Sequence, residues 1–432
     1  MTLHKFKLTF PLFFAFTAIL LPSVSFSQTA TLSPYSRYGV GDLLFNGFSH
    51  QRAMGGISVG LRQSSQLNFG NPASYSADSI VMFELGFVGE ATNFSNQNAS
   101  TNKTNGNIAY LSMGFPLIKN HWYLNVGMQP YSASGYKIQQ ELSTLIQGTE
   151  SVDYKNVYEG SGGFNRFYAG TGFNITKKLS AGFNASYLFG AASRTSKVEF
   201  QESGFINTQI KNTVTLSDIM LEGGLQYSWL TKKGLQVTWG LSGYPTQKIS
   251  AKRDLAWVNY IYNGNNAIAK DTALFTEKEK GEVKLPLKAG IGFSVAKKAH
   301  WLFGADVKMT KWEEYESYGI NDSLKNSFNV ALGGLWIPDA TSVKYFGRAE
   351  YRLGLYYNSG FLELKNDRIN DFGITFGAGF PLRGKPYFSH LDIAFEFGQE
   401  GTVNDNLVRE RYGRIIVGLT IREDWFIKNR FD

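Results

Sequence analysis

The sequence predicts an all-β protein: a transmembrane antiparallel β-barrel of about 14 strands with an N-terminal hatch, or plug, in its lumen. Three observations carry this. Apolar residues alternate with small or polar ones along runs longer than the strands of a soluble sandwich, which average about 5 to 6 residues. The links between these runs alternate between short and long. Beyond the N-terminus no stretch is apolar enough for a spanning helix, so entry into lipid requires a closed sheet, the other structure that satisfies every backbone group there.

The N-terminus reads as an export signal. Lys5 and Lys7 precede an apolar run from Leu8 to Leu21, interrupted by Thr9, Pro11 and Thr17. Pro22 and the small-residue site Ser25-Phe26-Ser27 follow, and the mature chain is expected to begin near Gln28. The apolar run is shorter than the roughly 20 residues of a spanning helix. Residues 1–27 are therefore expected to be a signal peptide, and the protein to reside in the outer membrane of a Gram-negative cell. There is no Cys, which excludes disulfides and a lipidated Cys anchor. The 432 residues include 46 Gly, 34 Phe, 23 Tyr and 8 Trp, a balance that suits an aromatic-girdled barrel. The net charge of +8 is spread along the chain and much of it falls at short turns, so no nucleic-acid partner is expected.

The strands follow from the alternation. Leu179, Ala181, Phe183, Ala185 and Tyr187 alternate with Ser180, Gly182, Asn184 and Ser186. Trp301, Phe303, Ala305, Val307 and Met309 alternate with Leu302, Gly304, Asp306 and Lys308. Strands are expected to start near Ile80, Asn107, His121, Phe164, Leu179, Asp218, Leu235, Val283, His300, Asn326, Val343, Asp371, Tyr387 and Arg411. Short links fall at 118–120, 176–178, 231–234, 296–299, 338–342 and 383–385; long polar links fall between them, the longest at 249–282. Short turns on the periplasmic side and long loops outside are the outer-membrane pattern. Trp122, Tyr187, Trp229, Trp301, Trp312, Trp336 and Trp425 are the expected girdle residues. Residues 80–432 thus form the barrel.

Residues 28–79 precede it and are not strand-like throughout. They carry the Gly-rich turns at Gly39, Gly41, Gly55 and Gly56, and end on Asn71-Pro72-Ala73. A barrel this wide has a lumen that side chains alone cannot fill. The segment is expected to fold into it, with Asn71-Pro72-Ala73 close to the inner wall. Pro72 fixes its own φ and biases Asn71 toward an extended shape, which suits the exit into the first strand.

Asn71-Pro72-Ala73 at the end of a Gly-rich segment, and Gly160-Ser161-Gly162-Gly163-Phe164-Asn165-Arg166-Phe167 followed by Gly170, Gly172 and Gly182, resemble the FadL family of outer-membrane transporters. The resemblance covers the chain from Gln28 onward. It implies a 14-stranded barrel with an internal hatch that passes long-chain fatty acids or other hydrophobic compounds. Two departures stand out. The 138–160 link is mixed where the family's outer groove is apolar, and the chain runs on past Ile421 to Trp425 and Asp432, a tail seen in relatives with other roles.

Catalysis finds no support: the five His residues, among them His121, His300 and His390, form no nucleophile–base pattern. No zinc pattern or phosphate loop occurs, and no cofactor is expected. Lys344, Arg348, Glu350 and Arg352 of the eleventh strand, with Asp306, Lys308, Asp392, Glu396 and Arg414, are expected on the lumen wall. Such mixed charge reads as a network pinning the hatch; Arg348, Arg352 or Arg414 could alternatively hold a carboxylate. Gly127 and Pro130 interrupt the third strand and are candidates for a lateral exit. Gly55 and Gly56 are candidates for hatch movement. Two functions fit: a hatch-gated channel for hydrophobic small molecules, or a barrel-shaped partner subunit of an outer-membrane secretion or assembly complex. The first calls for an apolar cavity between hatch and wall, the second for a filled lumen with ordered outer loops.

Overall fold

The computed structural model describes residues 31–423 apart from 45, 46, 65, 147–149, 201, 203, 265 and 383–388. The signal peptide, the 383–385 turn and the tail with Trp425 lie outside the described residues.

Among the described residues fourteen strands form the wall: Val81–Ser95 (β1), Ser100–Ile118 (β2), Trp122–Ala133 (β3), Glu150–Asn174 (β4), Leu179–Phe200 (β5), Asn207–Leu230 (β6), Leu235–Tyr244 (β7), Lys288–Lys297 (β8), Trp301–Thr310 (β9), Ser327–Trp336 (β10), Glu350–Asn358 (β11), Asp371–Pro381 (β12), His390–Glu400 (β13) and Arg409–Glu423 (β14). Each pairs antiparallel with the next, and β1 pairs with β14 through Phe87 and Val417, which closes the barrel. Every strand puts at least one large apolar side chain outside, from Phe87 on β1 to Ile415 on β14. A closed ladder with an apolar exterior is what lipid demands, and the chain is an outer-membrane barrel.

The alternation chose the faces because side chains repeat every two residues. Phe183 is 53% exposed, whereas its neighbour Asn184 is fully buried inside. Leu188 and Ile416 are apolar yet sit at lumen positions, and both are buried there.

Several expectations need correction. The eleventh strand starts at Glu350, not near Val343. Residues 345–348 coil into a 3-10 turn, and Gly347 accepts a backbone bond from Asp339. Lys344 and Arg348 therefore lie in the 337–349 link at the short-turn end, off the lumen wall; Val343 is 99% exposed and Ala349 is buried rather than lipid-facing. Four alternating residues fit a turn as well as a strand, so the pattern was too short to discriminate. The eighth strand starts at Lys288; Val283 and Leu285 end an outer strand and are buried in the large core cluster. Trp312 is not a girdle residue: it is 3% exposed and packs against Phe361, 4.7 Å between ring centres, at the outer end of the lumen.

The long links are also ordered. Tyr136–Ile146 pairs with the first half of β4, and Gln247–Asn263 with Asn266–Leu285 forms a hairpin joined to the start of β6. The sheet thus continues outward as a wing beyond the apolar band.

The described residues of 31–80 pack against the inner wall of the barrel. They contain a 3-10 turn Pro34–Arg37, a two-residue strand Asp42–Leu43, one helical turn Ser49–Arg52 and a second 3-10 turn Pro72–Ala77. Phe48, Leu67, Phe69 and Tyr75 from this segment join wall residues Met82, Tyr110, Tyr123 and Tyr168 in one buried cluster.

Candidate functional site: the internal segment and the open seam

The internal segment meets the wall through backbone polar groups that cannot pair within it, so wall side chains supply partners. The Asp306 carboxylate accepts from the amides of Ser58, Val59 and Gly60 at 2.6, 2.8 and 3.2 Å. Lys308 donates to the Gly56 carbonyl and the Ser58 hydroxyl. Gln226 donates to the carbonyls of Val59 and Leu61. In return Arg62, from the segment, donates to Ser180, Gln226 and Asn174 on β4–β6 and to Ala73 and Ser76 of its own segment. Burial lowers the Arg62 pKa to about 10, with Asp78 opposing. His50, buried beside Phe48, is held well below the usual imidazole range by burial and then by Arg352.

Asn71, Pro72 and Ala73 lie against β5–β7. Asn71 donates from Nδ2 to the carbonyls of Val59, Leu225 and Leu241 and accepts the amide of Ala73 on Oδ1. The wall answers with glycine. A Cβ on Gly182 or Gly172 would stand 2.5 Å or less from Pro72, and one on Gly240 would stand 1.9 Å from the Val59 carbonyl oxygen. The Gly170-Thr-Gly172 spacing on β4 keeps both glycines on the lumen face. Gly55 and Gly56 have φ of +68° and +84°, and Gly55 is pressed against β10 and β11 with its amide bonded to Thr375. Their lack of a side chain serves a left-handed turn at close approach.

The lumen arginines are engaged. Arg352 pairs with Asp392 at 2.5 Å and with Glu350. Arg414 pairs with Glu396 at 2.6 Å and with Glu90, and Glu396 also faces Arg52 at 3.6 Å. Arg348 sits 5.9 Å from the Tyr345 ring, remote from both. Internal acids thus already hold the guanidinium edges that a carboxylate ligand would need.

One stretch of wall is open. The β2–β3 ladder runs from Ile118–Trp122 to Leu111–Met128 and stops. Above it, residues 100–110 of β2 pair on the β1 side only. Pro130 lacks the N–H a ladder needs. The β3–β4 register shifts at Tyr131, between Pro130 and Ser132. The strand Asp42–Leu43 of the internal segment takes up the freed edge, with Asp42 opposite Ala133, Leu43 opposite Ser132 and Leu44 N–H donating to the Tyr131 carbonyl. A cavity of about 170 Å³ reaches this seam, lined by Asp42, Leu43, Leu44, Asn105, Ile108 and Pro130 on the seam side and by Arg52, Gly55, Gly56, Glu396 and Arg414 on the lumen side. Four of the expected residues, Gly55, Gly56, Pro130 and Arg414, thus converge on one space. Gly127 lies one pair below the last rung, opposite Ser112. Asn71-Pro72-Ala73, Arg352 and Arg348 lie elsewhere. Sequence reasoning missed Asp42, Leu43, Leu44, Arg52 and Arg62; a polar-apolar-apolar step directly after Gly39-Val40-Gly41 was the available signal for a short added strand.

The sequence matches the family described as BamG over residues 11–432. The chain belongs to the BamG family. No curated protein matches it. Among solved structures this BamG-family chain is similar to a Pseudomonas aeruginosa FadL homologue (11% identity, 90% of this chain and all of the other, TM-score 0.58). It is similar also to the Ralstonia pickettii toluene transporter TbuX (13% identity, 88% and 99%, TM-score 0.55). A third is the Pseudomonas putida toluene transporter TodX (16% identity, 90% and 100%, TM-score 0.54). At these identities the likeness is one of fold: the BamG-family barrel has the FadL-type architecture.

Proposed function

We propose that the barrel passes hydrophobic small molecules from outside to the membrane through the seam between β2 and β3, with residues 31–80 acting as the hatch. The observation that carries this is the seam itself: a broken ladder, a cavity behind it, and a two-residue strand of the internal segment paired to the freed edge. A lateral path takes the ligand past Arg52, Glu396 and Arg414 on the lumen side of the cavity without reaching the Arg352, Asp392 and Glu350 cluster. The proteins of similar fold named for toluene transport support the substrate class. The test exploits the absence of cysteine: Leu43→Cys with Ser132→Cys joins two facing residues and locks the seam. Uptake of a hydrophobic probe into a strain lacking its own transporter is expected to fall on oxidation and return on reduction. Unchanged uptake by the fully oxidised protein would refute passage through the seam.

A second reading, a partner subunit of an outer-membrane assembly or secretion complex, is favoured by the outer wing. Trp257, Leu274 and Ile210 sit in one row across three strands, 42%, 44% and 38% exposed, on the part of the sheet beyond the apolar band. Apolar side chains in water on an ordered sheet suit protein contact. Co-purification of a stoichiometric partner in mild detergent, lost in Trp257→Ser, together with no uptake by the native protein, would establish this reading in place of the first.

A further inference from the structure

We infer that the outside of the barrel holds one phosphorylated lipid of the outer leaflet, with its phosphate on Arg411 and an acyl chain in the apolar depression over β12 and β13. The outward face of β14 starts the argument. From its outer end it reads Arg409, Arg411, Gly413, Ile415, Val417 and Leu419. Two cations thus stand where the strand leaves the long loop, and the residues below them are glycine or apolar. The outward neighbours across the ladder supply no counter-charge. Arg409 faces Ser95 on β1, and Arg411 faces Asn93 on β1 and Gln399 on β13. Arg411 is exposed, and among the described residues its side chain bonds Gln399, from Nε to Oε1 at 3.1 Å. That bond fixes the plane of the guanidinium and leaves both Nη groups for a ligand. A phosphate takes two such N–H groups at once.

The apolar part of the site lies next to these cations. A depression of about 550 Å³, open on the lipid side, has Leu355, Phe372, Ile374 and Phe397 on its walls and Gln399 and Arg411 at its outer end. Gly413 faces Phe397 across the ladder, and the ring lies over β14, 3.2 Å from where a Gly413 Cβ would stand. That clears the surface of β12 and β13 below Gln399. Phe372 and Tyr357 continue the row of Arg411 and Gln399, which puts the guanidinium at the aromatic girdle, where lipid headgroups begin. The long loops face outward, so the adjoining lipid belongs to the outer leaflet, whose glycolipid carries phosphate. A neutral lipid would fill the depression and leave the arginines without an anion. A free phosphate would meet the arginines and leave the depression to other chains. One phosphorylated lipid answers both features.

The test titrates the full-length barrel in dodecyl maltoside with monophosphoryl lipid A and separately with its dephosphorylated form, and counts retained lipid by native mass spectrometry. One phosphorylated molecule per barrel is expected, bound about tenfold or more tightly than the dephosphorylated form. Arg411→Gln is expected to weaken binding about fivefold, and Arg409→Gln combined with it about tenfold or more. Ile374→Trp, which fills the depression and keeps both arginines, should weaken it about threefold. Lys233→Gln removes an exposed cation from the 231–234 turn at the opposite end and should leave binding as it was. Equal retention of the two lipids, or unchanged affinity in Arg411→Gln or in Ile374→Trp, overturns the inference. So does an equal loss in Lys233→Gln, which would reduce the effect to net charge. Should one of the two site variants fail to assemble, the other decides alone. The outcome is independent of the seam: a lipid bound here in a barrel without uptake leaves the site standing and removes only the transport reading.

Discussion

The internal segment meets the two sides of the barrel in opposite ways. Against β5–β7 the contact is tight: wall glycines let Pro72 and Val59 approach to distances no side chain would permit, and Asn71 spends its amide on three carbonyls. Against the β2–β3 seam it contributes two paired residues, one further backbone bond, a bond from Ser132 to the Val40 carbonyl and the close approach of Gly41 to Ala133, beside a cavity of about 170 Å³. Unequal anchorage of this kind assigns the parts of a movement. In the proposed hatch movement the Asn71 side is the fixed base, and displacement begins where fewer bonds hold and space already exists.

Replacing a base-side glycine should break this contrast most severely. Gly240→Val places a Cβ where the Val59 carbonyl lies, and overpacking with no room to relax costs about 3 kcal/mol or more. The expected result is a lowered unfolding midpoint in detergent and new trypsin cleavage at Arg62. An intact, protected segment in this variant would mean that the base is not tight.

Asp306→Ala is the next test, on the wall between the two regions. It strips the acceptor from three amides, of Ser58, Val59 and Gly60, and is expected to cost about 2 kcal/mol. Amide hydrogen exchange should quicken at residues 58–60, while Leu44 at the seam stays as it was. Equal acceleration at both places would show the segment moving as one body and would erase the distinction.

The smallest effect belongs to the seam. Asp42, on the short strand of the internal segment, has its carboxyl pushed up to about 6 by burial, with Arg414 and the Thr31 hydroxyl opposing. Docking therefore favours the protonated form. Its contribution is full below the ordinary carboxyl pKa near 3.8 and is lost as pH rises through about 6. Native protein should show lower protection of the Leu43 and Leu44 amides, relative to their intrinsic exchange rates, above pH 6 than below pH 4, and Asp42→Asn should flatten the difference. A profile equally steep in Asp42→Asn would place the titrating group elsewhere.

Much of the wall was legible in the sequence. Strand spans such as 179–189 and 301–309, the short turns near 176–178 and 231–234, and the lipid or lumen assignment of Phe183, Asn184 and Asp306 follow from a two-residue period that needs only neighbours along the chain. The same logic failed at 343–349, where local alternation lay in a turn, and at Trp312, whose aromatic character did not reveal which end of the lumen it fills.

The functional geometry was not local. Gly182 and Gly240 read as small inward residues, yet the reason for their size is a segment more than a hundred positions earlier. Ser33 donates to Glu410 across 377 residues, and Gly60 to Asp306 across 246. Gly127 and Pro130 marked an irregular third strand, but the open ladder, the short strand paired to its edge and the cavity behind it arise only when β2, β3 and residues 42–44 come together. By itself the sequence determined the membrane-facing shell, because lipid reads each strand one residue at a time. The tertiary structure decided which lumen charges are spent on one another, which glycines are contacts and where the wall stays open, because those depend on partners the chain brings together only on closing the barrel.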